Sequence, residues 1–224
     1  MPGSRPRSGL LWALQWFALI ALVTFAADML YVFWPYPDGP RGVAPLEDAL
    51  AREAELIRSL ADEPSMAVIS SVASATYPVC FVWTGLDALM LRFADPTPLS
   101  EAEEGMRRLF LAHWAFLETA VYGLELFSQR LGVLVAALPL VAMAAAGAAA
   151  DGLVTWYRRR TSAGRESGFI YHRVKRGLAL ALLALWLVYL LPPVVLDPRY
   201  VLPPFLLTWA IGIRFMVAYF KKHL

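Results

Sequence analysis

Glu166 and His172 are the two residues that could act as a general acid and base, and they lie in an arginine-rich stretch. The chain has 3 histidines and 1 cysteine, and none of them has the spacing of metal ligands. The sequence lacks a phosphate-binding loop of the G-x-x-x-x-G-K type, and GRES at 164–167 lacks the strand-to-helix context of a nucleophile elbow. We therefore expect no catalytic residue, no metal site and no cofactor.

The stretch RRRTSAGRESGFIYHRVKRG, from Arg158 to Gly177, has 7 Arg or Lys among its 20 residues. Cations beside a membrane span hold a loop in the cytoplasm and bind anionic lipid head groups. A topology signal does not require the aromatic residues that alternate with these cations, and such a mixture suits binding to an acidic protein surface. We do not expect direct contact with nucleic acid. The residues predicted to form the docking surface are Arg158, Arg159, Arg160, Arg165, Glu166, Tyr171, His172, Lys175 and Arg176.

Charged residues also occur within or beside the apolar runs. Asp151 and Arg214 lie towards the same end of two different runs, so we expect them to pair. Asp28 lies near the opposite face, within expected reach of Arg199. The alternative is that Asp28, Asp151 and Arg214 line the path of a small transporter or channel, although no inverted repeat is visible.

The elements that must position these residues are apolar runs. Hydrophobic residues make up 59% of the chain and charged residues 17%, which is unusual for a soluble domain. About 20 apolar residues cross a bilayer as a helix. Four such spans are predicted, at 10–34, 131–152, 178–196 and 201–220. The basic segments 1–9, 153–177 and 221–224 are then cytoplasmic, and 197–200 forms a short periplasmic hairpin.

The region 35–130 is acidic and is predicted to lie in the periplasm, because residues 36–130 hold 14 acidic and 7 basic residues. Helices are predicted at 46–63, 66–93 and 100–128. The last begins with a capping box, Ser100 followed by Glu103. In the first, the apolar face comprises Leu46, Leu50, Ile57 and Leu60, and the acids Glu47, Asp48, Glu53 and Glu55 are expected to point away from it.

The predicted fold is therefore an all-α integral membrane protein, with four transmembrane helices and a small helical extracytoplasmic insertion between spans one and two. Residues 66–93 are moderately apolar, but a span there would place the basic stretch outside. We interpret them as a helix that packs on its neighbours or lies on the outer membrane surface.

The motif order DGLV at 151–154, GRES at 164–167 and YHRVKR at 171–176 resembles the integrating-conjugative-element membrane protein family. The resemblance implies a small bacterial inner-membrane protein that is encoded with conjugation and type IV secretion genes. It also implies partners among the conjugation machinery, including the coupling ATPase, and offers no catalytic residue. The resulting expectation is a non-enzymatic scaffold subunit, multi-pass with both termini cytoplasmic. A membrane enzyme using Glu166 and His172 is the remaining alternative.

Overall fold

The computed structural model of the chain describes residues 9–95, 100–161 and 168–220, and within these ranges it contains helices and no strand. The prediction of an all-α chain is confirmed. The helices are α1 (Gly9–Phe33), α2 (Ala44–Leu60), α3 (Glu63–Tyr77), α4 (Leu86–Ala94), α5 (Glu101–Ala112), α6 (Trp114–Ala136), α7 (Leu138–Thr161), α8 (Gly168–Leu185) and α9 (Pro198–Ala218). A π-helical turn extends α3 to Val82, and another extends α8 to Leu190.

Three helices in the described ranges have the length and apolar composition to cross a membrane. They are Glu63–Val82, Leu138–Thr161 and Pro198–Ala218, and a shorter apolar helix covers Ala18–Phe33. The first overlaps residues 66–93, for which we predicted a helix that does not cross the membrane. Its length and composition therefore allow it to cross a membrane, although a crossing there would place the basic stretch outside the cell.

Helix ends follow from local sequence. The Ser100 Oγ accepts from the Glu103 N–H at 3.4 Å, and the Ser100 N–H donates to Glu103 Oε2 at 3.0 Å, so both halves of the capping box are present. The bond from the Ser100 N–H and a second one from the Ser100 hydroxyl to the same carboxyl group lower the pKa of Glu103. The break between α6 and α7 falls at Ala137, just before Pro139, because proline is tolerated in the first helical turn and not further in.

Two groups of helices pack closely. In the first, α6 lies against α1 and α3, and the rings of Phe33 and Phe116 stack at 4.3 Å between centroids. In the second, α9 lies against α7 and α8. Gly152 of α7 touches the backbone of Arg214, where an added Cβ would lie 2.7 Å from the carbonyl oxygen. The small residue therefore permits the close approach of α7 and α9.

The main apolar core joins α2, α3, α6 and the end of α8. Its buried members are Ile57, Ile69, Phe127, Val133, Tyr189 and Leu190.

Candidate functional site

The predicted basic loop at 153–177 is mostly helix. α7 continues through Arg160 to Thr161, and α8 begins at Gly168. The reason is that arginine and lysine favour helices, and cations in the last turn of α7 complement its dipole. The stretch predicted as a basic cytoplasmic loop therefore includes the end of α7 and the start of α8. Arg165 and Glu166, at 165–166, lie outside the described residues.

The ends of α7, α8 and α9 bring aromatic rings and cations together at one place. We call it the basic–aromatic end and define it by Trp156, Arg158, Arg159, Arg160, Tyr171, His172, Lys175, Arg176, Tyr219 and Phe220.

Aromatic rings hold two of its arginines. The Cζ of Arg159 lies 4.0 Å from the centre of the Tyr219 ring, and that of Arg160 lies 4.9 Å from the Trp156 ring. These are cation–π distances. Trp156 also donates its Nε1–H to the Phe220 carbonyl at 3.2 Å. The last turn of α7 is thereby tied to the residues that follow α9.

α8 contributes the rest of the basic–aromatic end. The Tyr171 ring contacts His172 and Phe220 edge-on, with centroids 5.5 and 6.0 Å apart. Lys175 and Arg176 are exposed on the same helix.

Between these helices lies an apolar groove of about 330 Å³. Its lining consists of Leu153, Trp156, Tyr171, Met216, Val217 and Phe220.

The structure brings Asp151 and Arg214 together. Arg214 donates its Nε–H to Asp151 Oδ2 across the α7–α9 contact, next to Gly152. Both side chains remain about half exposed at the helix surface. In a bilayer such a pair would shield two charges from hydrocarbon.

The predicted contact between Asp28 and Arg199 is absent among the described residues, because Arg199 pairs with Asp197 and Asp28 is buried against α6. Arg199 donates to Asp197, with Nη2 2.7 Å from Oδ2. Asp197 precedes α9 as its N-cap, so the nearer carboxylate takes the guanidinium, and the bonds lower the pKa of Asp197. Asp28 is buried and lies against Gly123 of α6. The prediction that Asp28 and Arg199 contact each other is therefore wrong.

A further ion pair was missed by sequence reasoning. Arg130 of α6 is fully buried and donates to both carboxylate oxygens of Glu53 on α2, from Nε at 2.7 Å and from Nη2 at 2.6 Å. Its remaining N–H groups donate to the carbonyl oxygens of Tyr189, Pro192 and Val194. One guanidinium thus fastens α2 and the segment after α8 to α6.

Glu53 contradicts the expectation that the acids of α2 point away from its apolar face, because it is 0% exposed. The signal was present in the spacing. Leu46, Glu53 and Ile57 recur at intervals of seven and four, which places them on one helix face. Its partner lies 77 residues away, so pairing could not be read locally.

Among the described residues, no group of three His, Cys, Asp or Glu side chains could hold a metal ion. No curated protein and no solved structure matches the chain. A family model described as "IncC plasmid conjugative DNA transfer protein DtrJ-like" matches residues 41–221, about four fifths of the 224 residues. This confirms the resemblance to a conjugation-associated family. The matched range includes the Arg130–Glu53 pair, the Asp151–Arg214 pair and the basic–aromatic end, and the chain belongs to the DtrJ-like family of conjugative DNA transfer proteins.

Proposed function

We propose that this chain is a non-enzymatic subunit of a conjugative, type IV secretion-like apparatus, such as that of an integrating conjugative element. In this proposal it lies in the bacterial inner membrane and docks a cytoplasmic partner through its basic–aromatic end. The observation that carries the proposal is the family match over 41–221 in a chain with three helices of membrane-spanning length.

The charge distribution supports the orientation. The cations at the ends of α7 and α8 would remain in the cytoplasm, together with both chain termini, and the acidic region 35–130 would face the periplasm. The helices α7, α8 and α9 would then cross the bilayer as spans two to four, with α1 as span one. Residues 63–82 would pack against α6 on the outer side, because a fifth crossing would reverse the basic–aromatic end.

Docking is favoured by the groove beside the cations. A purely electrostatic topology signal requires no apolar groove, whereas a protein partner uses both apolar and charged contacts. The rings of Tyr171 and Phe220 line the groove, and Lys175 and Arg176 are exposed on the same helix as Tyr171. An acidic surface with an apolar side chain at its centre fits this arrangement. The coupling ATPase is the partner that the family resemblance suggests, and anionic head groups would surround the contact.

The alternative of a transporter or channel has less support. Asp151 and Arg214 pair between α7 and α9, whereas Asp28 lies between α1 and α6. The three residues thus lie in two separate helix contacts, whereas the lining of one transport path would require them to lie close together.

The test is capture of the tagged protein from donor cells in mild detergent, followed by mass spectrometry. The double variant Lys175→Glu/Arg176→Glu should lose co-purifying conjugation subunits. The matched control is Arg52→Glu/Arg58→Glu on α2, which makes the same charge change at exposed positions and should retain them. Equal recovery of conjugation subunits with the unmodified protein and both double variants would show that the basic–aromatic end contacts lipid and not a protein partner.

A further inference from the structure

A second feature, separate from the basic–aromatic end, lies between α1, α6 and the π-helical turn after α3. It is an apolar pocket of about 400 Å³, a volume that suits a bound group of substantial size. Three of its walls are apolar side chains, Leu22, Phe25 and Phe127. Their exposed neighbours on α1, such as Leu19 and Leu30, continue an apolar surface around it.

Asp28 is the acidic residue in the lining of this pocket. It is 3% exposed, and within the described part of the chain its carboxyl group makes no hydrogen bond and no close ion pair. The charge of Arg130 acts on it, but the N–H groups of that arginine donate to Glu53 and to backbone carbonyls instead. The hydroxyl group of Thr24, which also lines the pocket, donates to the Ile20 carbonyl. A buried carboxylate without a partner is costly, so this group calls for a donor or cation from outside the chain.

Small residues surround Asp28. Gly123 makes room for the Asp28 carboxyl group itself, because an added Cβ would lie 2.4 Å from its Oδ2, and Ala18, Ala21 and Ala120 form other parts of the pocket wall. Small residues of this kind line sites where membrane helices pack closely.

We propose that this pocket binds an apolar helix of a partner membrane protein, and that a basic side chain of that helix pairs with Asp28. Charge complementarity selects this occupant: the walls accept apolar side chains, and the one buried acid requires a cation. The inference rests on the membrane placement proposed above. It does not depend on the basic–aromatic end, so the two docking surfaces can fail independently.

The probe is a synthetic transmembrane peptide of about 20 Leu and Ala residues with a single Lys about five residues from one end. That position matches Asp28, which precedes the end of α1 at Phe33. Its partner peptide has Leu in place of Lys. Binding to the detergent-solubilised full chain is measured by energy transfer. A second measure is the rate of alkylation of Cys80, which also lines the pocket.

The Lys peptide should bind about tenfold or more tightly than the Leu peptide and should slow alkylation of Cys80. Asp28→Asn keeps the side-chain shape and should abolish the difference. Glu125→Gln removes an exposed acid from α6 and should preserve it. Lys175→Glu/Arg176→Glu should also preserve it, which separates this site from the other docking surface.

Several results would overturn the proposal. They are equal binding of the two peptides to the unmodified chain, an undiminished Lys preference in Asp28→Asn, or loss of that preference in Glu125→Gln. Competition by unlabelled copies of the chain itself would identify a second copy as the occupant and would also overturn it. Because the first comparison uses the unmodified chain, a folding defect in Asp28→Asn leaves the test intact.

Discussion

Arg130 and Glu53 form a buried ion pair in which both carboxylate oxygens accept from one guanidinium, and the two side chains are 1% and 0% exposed. The pair joins α6 to α2, and the same arginine also bonds to three backbone carbonyls after α8. These five bonds match the five N–H donors of the guanidinium, and a buried arginine requires such satisfaction.

Removing Arg130 should therefore destabilise the chain strongly. Arg130→Met leaves the buried Glu53 carboxylate without its cation and three carbonyl oxygens without their donor, and we expect a loss of about 3–5 kcal/mol in the free energy of unfolding. Thermal unfolding in detergent measures the effect. Arg52→Met, which removes an exposed arginine paired with Asp48, is the control and should change stability little. Equal effects of the two variants would contradict a structural role for the buried pair.

The contact between α7 and α9 gives a second prediction. Gly152→Ala places a methyl group 2.7 Å from the Arg214 carbonyl oxygen and should cost about 1–3 kcal/mol. Gly147→Ala, in the same helix, meets open space and should be neutral or stabilising. The comparison is made by unfolding both variants under identical detergent conditions. A destabilising Gly147→Ala with a harmless Gly152→Ala would exclude this packing.

Asp151 and Arg214 should behave as a coupled pair. Asp151→Asn or Arg214→Gln alone leaves one half-exposed charge unpaired at the helix surface that we place in the bilayer, so each single change should lower stability. The double change should recover part of the loss, and a double-mutant cycle gives the coupling. In a transporter, by contrast, the single variants would assemble normally and stop conducting. Additive losses would show that the two side chains do not interact.

The orientation in the membrane can be tested with single cysteines. Cys80 is the chain's sole cysteine, so Cys80→Ala provides a background for Tyr200→Cys and Lys175→Cys. In spheroplasts a membrane-impermeant maleimide should label position 200 directly, whereas position 175 should react only after permeabilisation. The reverse pattern would invert the proposed topology.

The same labelling decides whether α3 crosses the bilayer. Ser59→Cys and Trp83→Cys flank the apolar helix Glu63–Val82. Both should react from outside if that helix packs on the outer side, as proposed. Labelling of only one would establish an additional span.

Local patterns predicted much of the fold. The all-α class, the apolar helices and the capping box at Ser100 follow from composition and short-range spacing, which the sequence displays directly. The end of the helical segment at Leu190 did not, because the stretch 191–196 is apolar but lies outside the helix. Pro192 and Pro193 interrupt the backbone there, and Arg130 holds the freed carbonyls.

The candidate site was predicted less completely. The cations at 158–160 and 175–176 were identified by their density, but their place at helix ends beside Tyr219 and Phe220 depends on how α7, α8 and α9 pack. Glu53 was assigned to the solvent face because a charged residue in a helix is usually exposed. Only the distant Arg130 makes its burial favourable, and such a partner is invisible in a single sequence.

The most direct measurement of the central claim is photo-crosslinking in donor cells. A photoreactive amino acid replaces His172 at the basic–aromatic end or, as a control, Tyr200 at the opposite end of α9; both positions are exposed. The proposed function predicts crosslinks from position 172 to a conjugation subunit, with the coupling ATPase as the expected partner, and their absence from position 200. Crosslinks from position 172 to lipid alone would contradict the docking role.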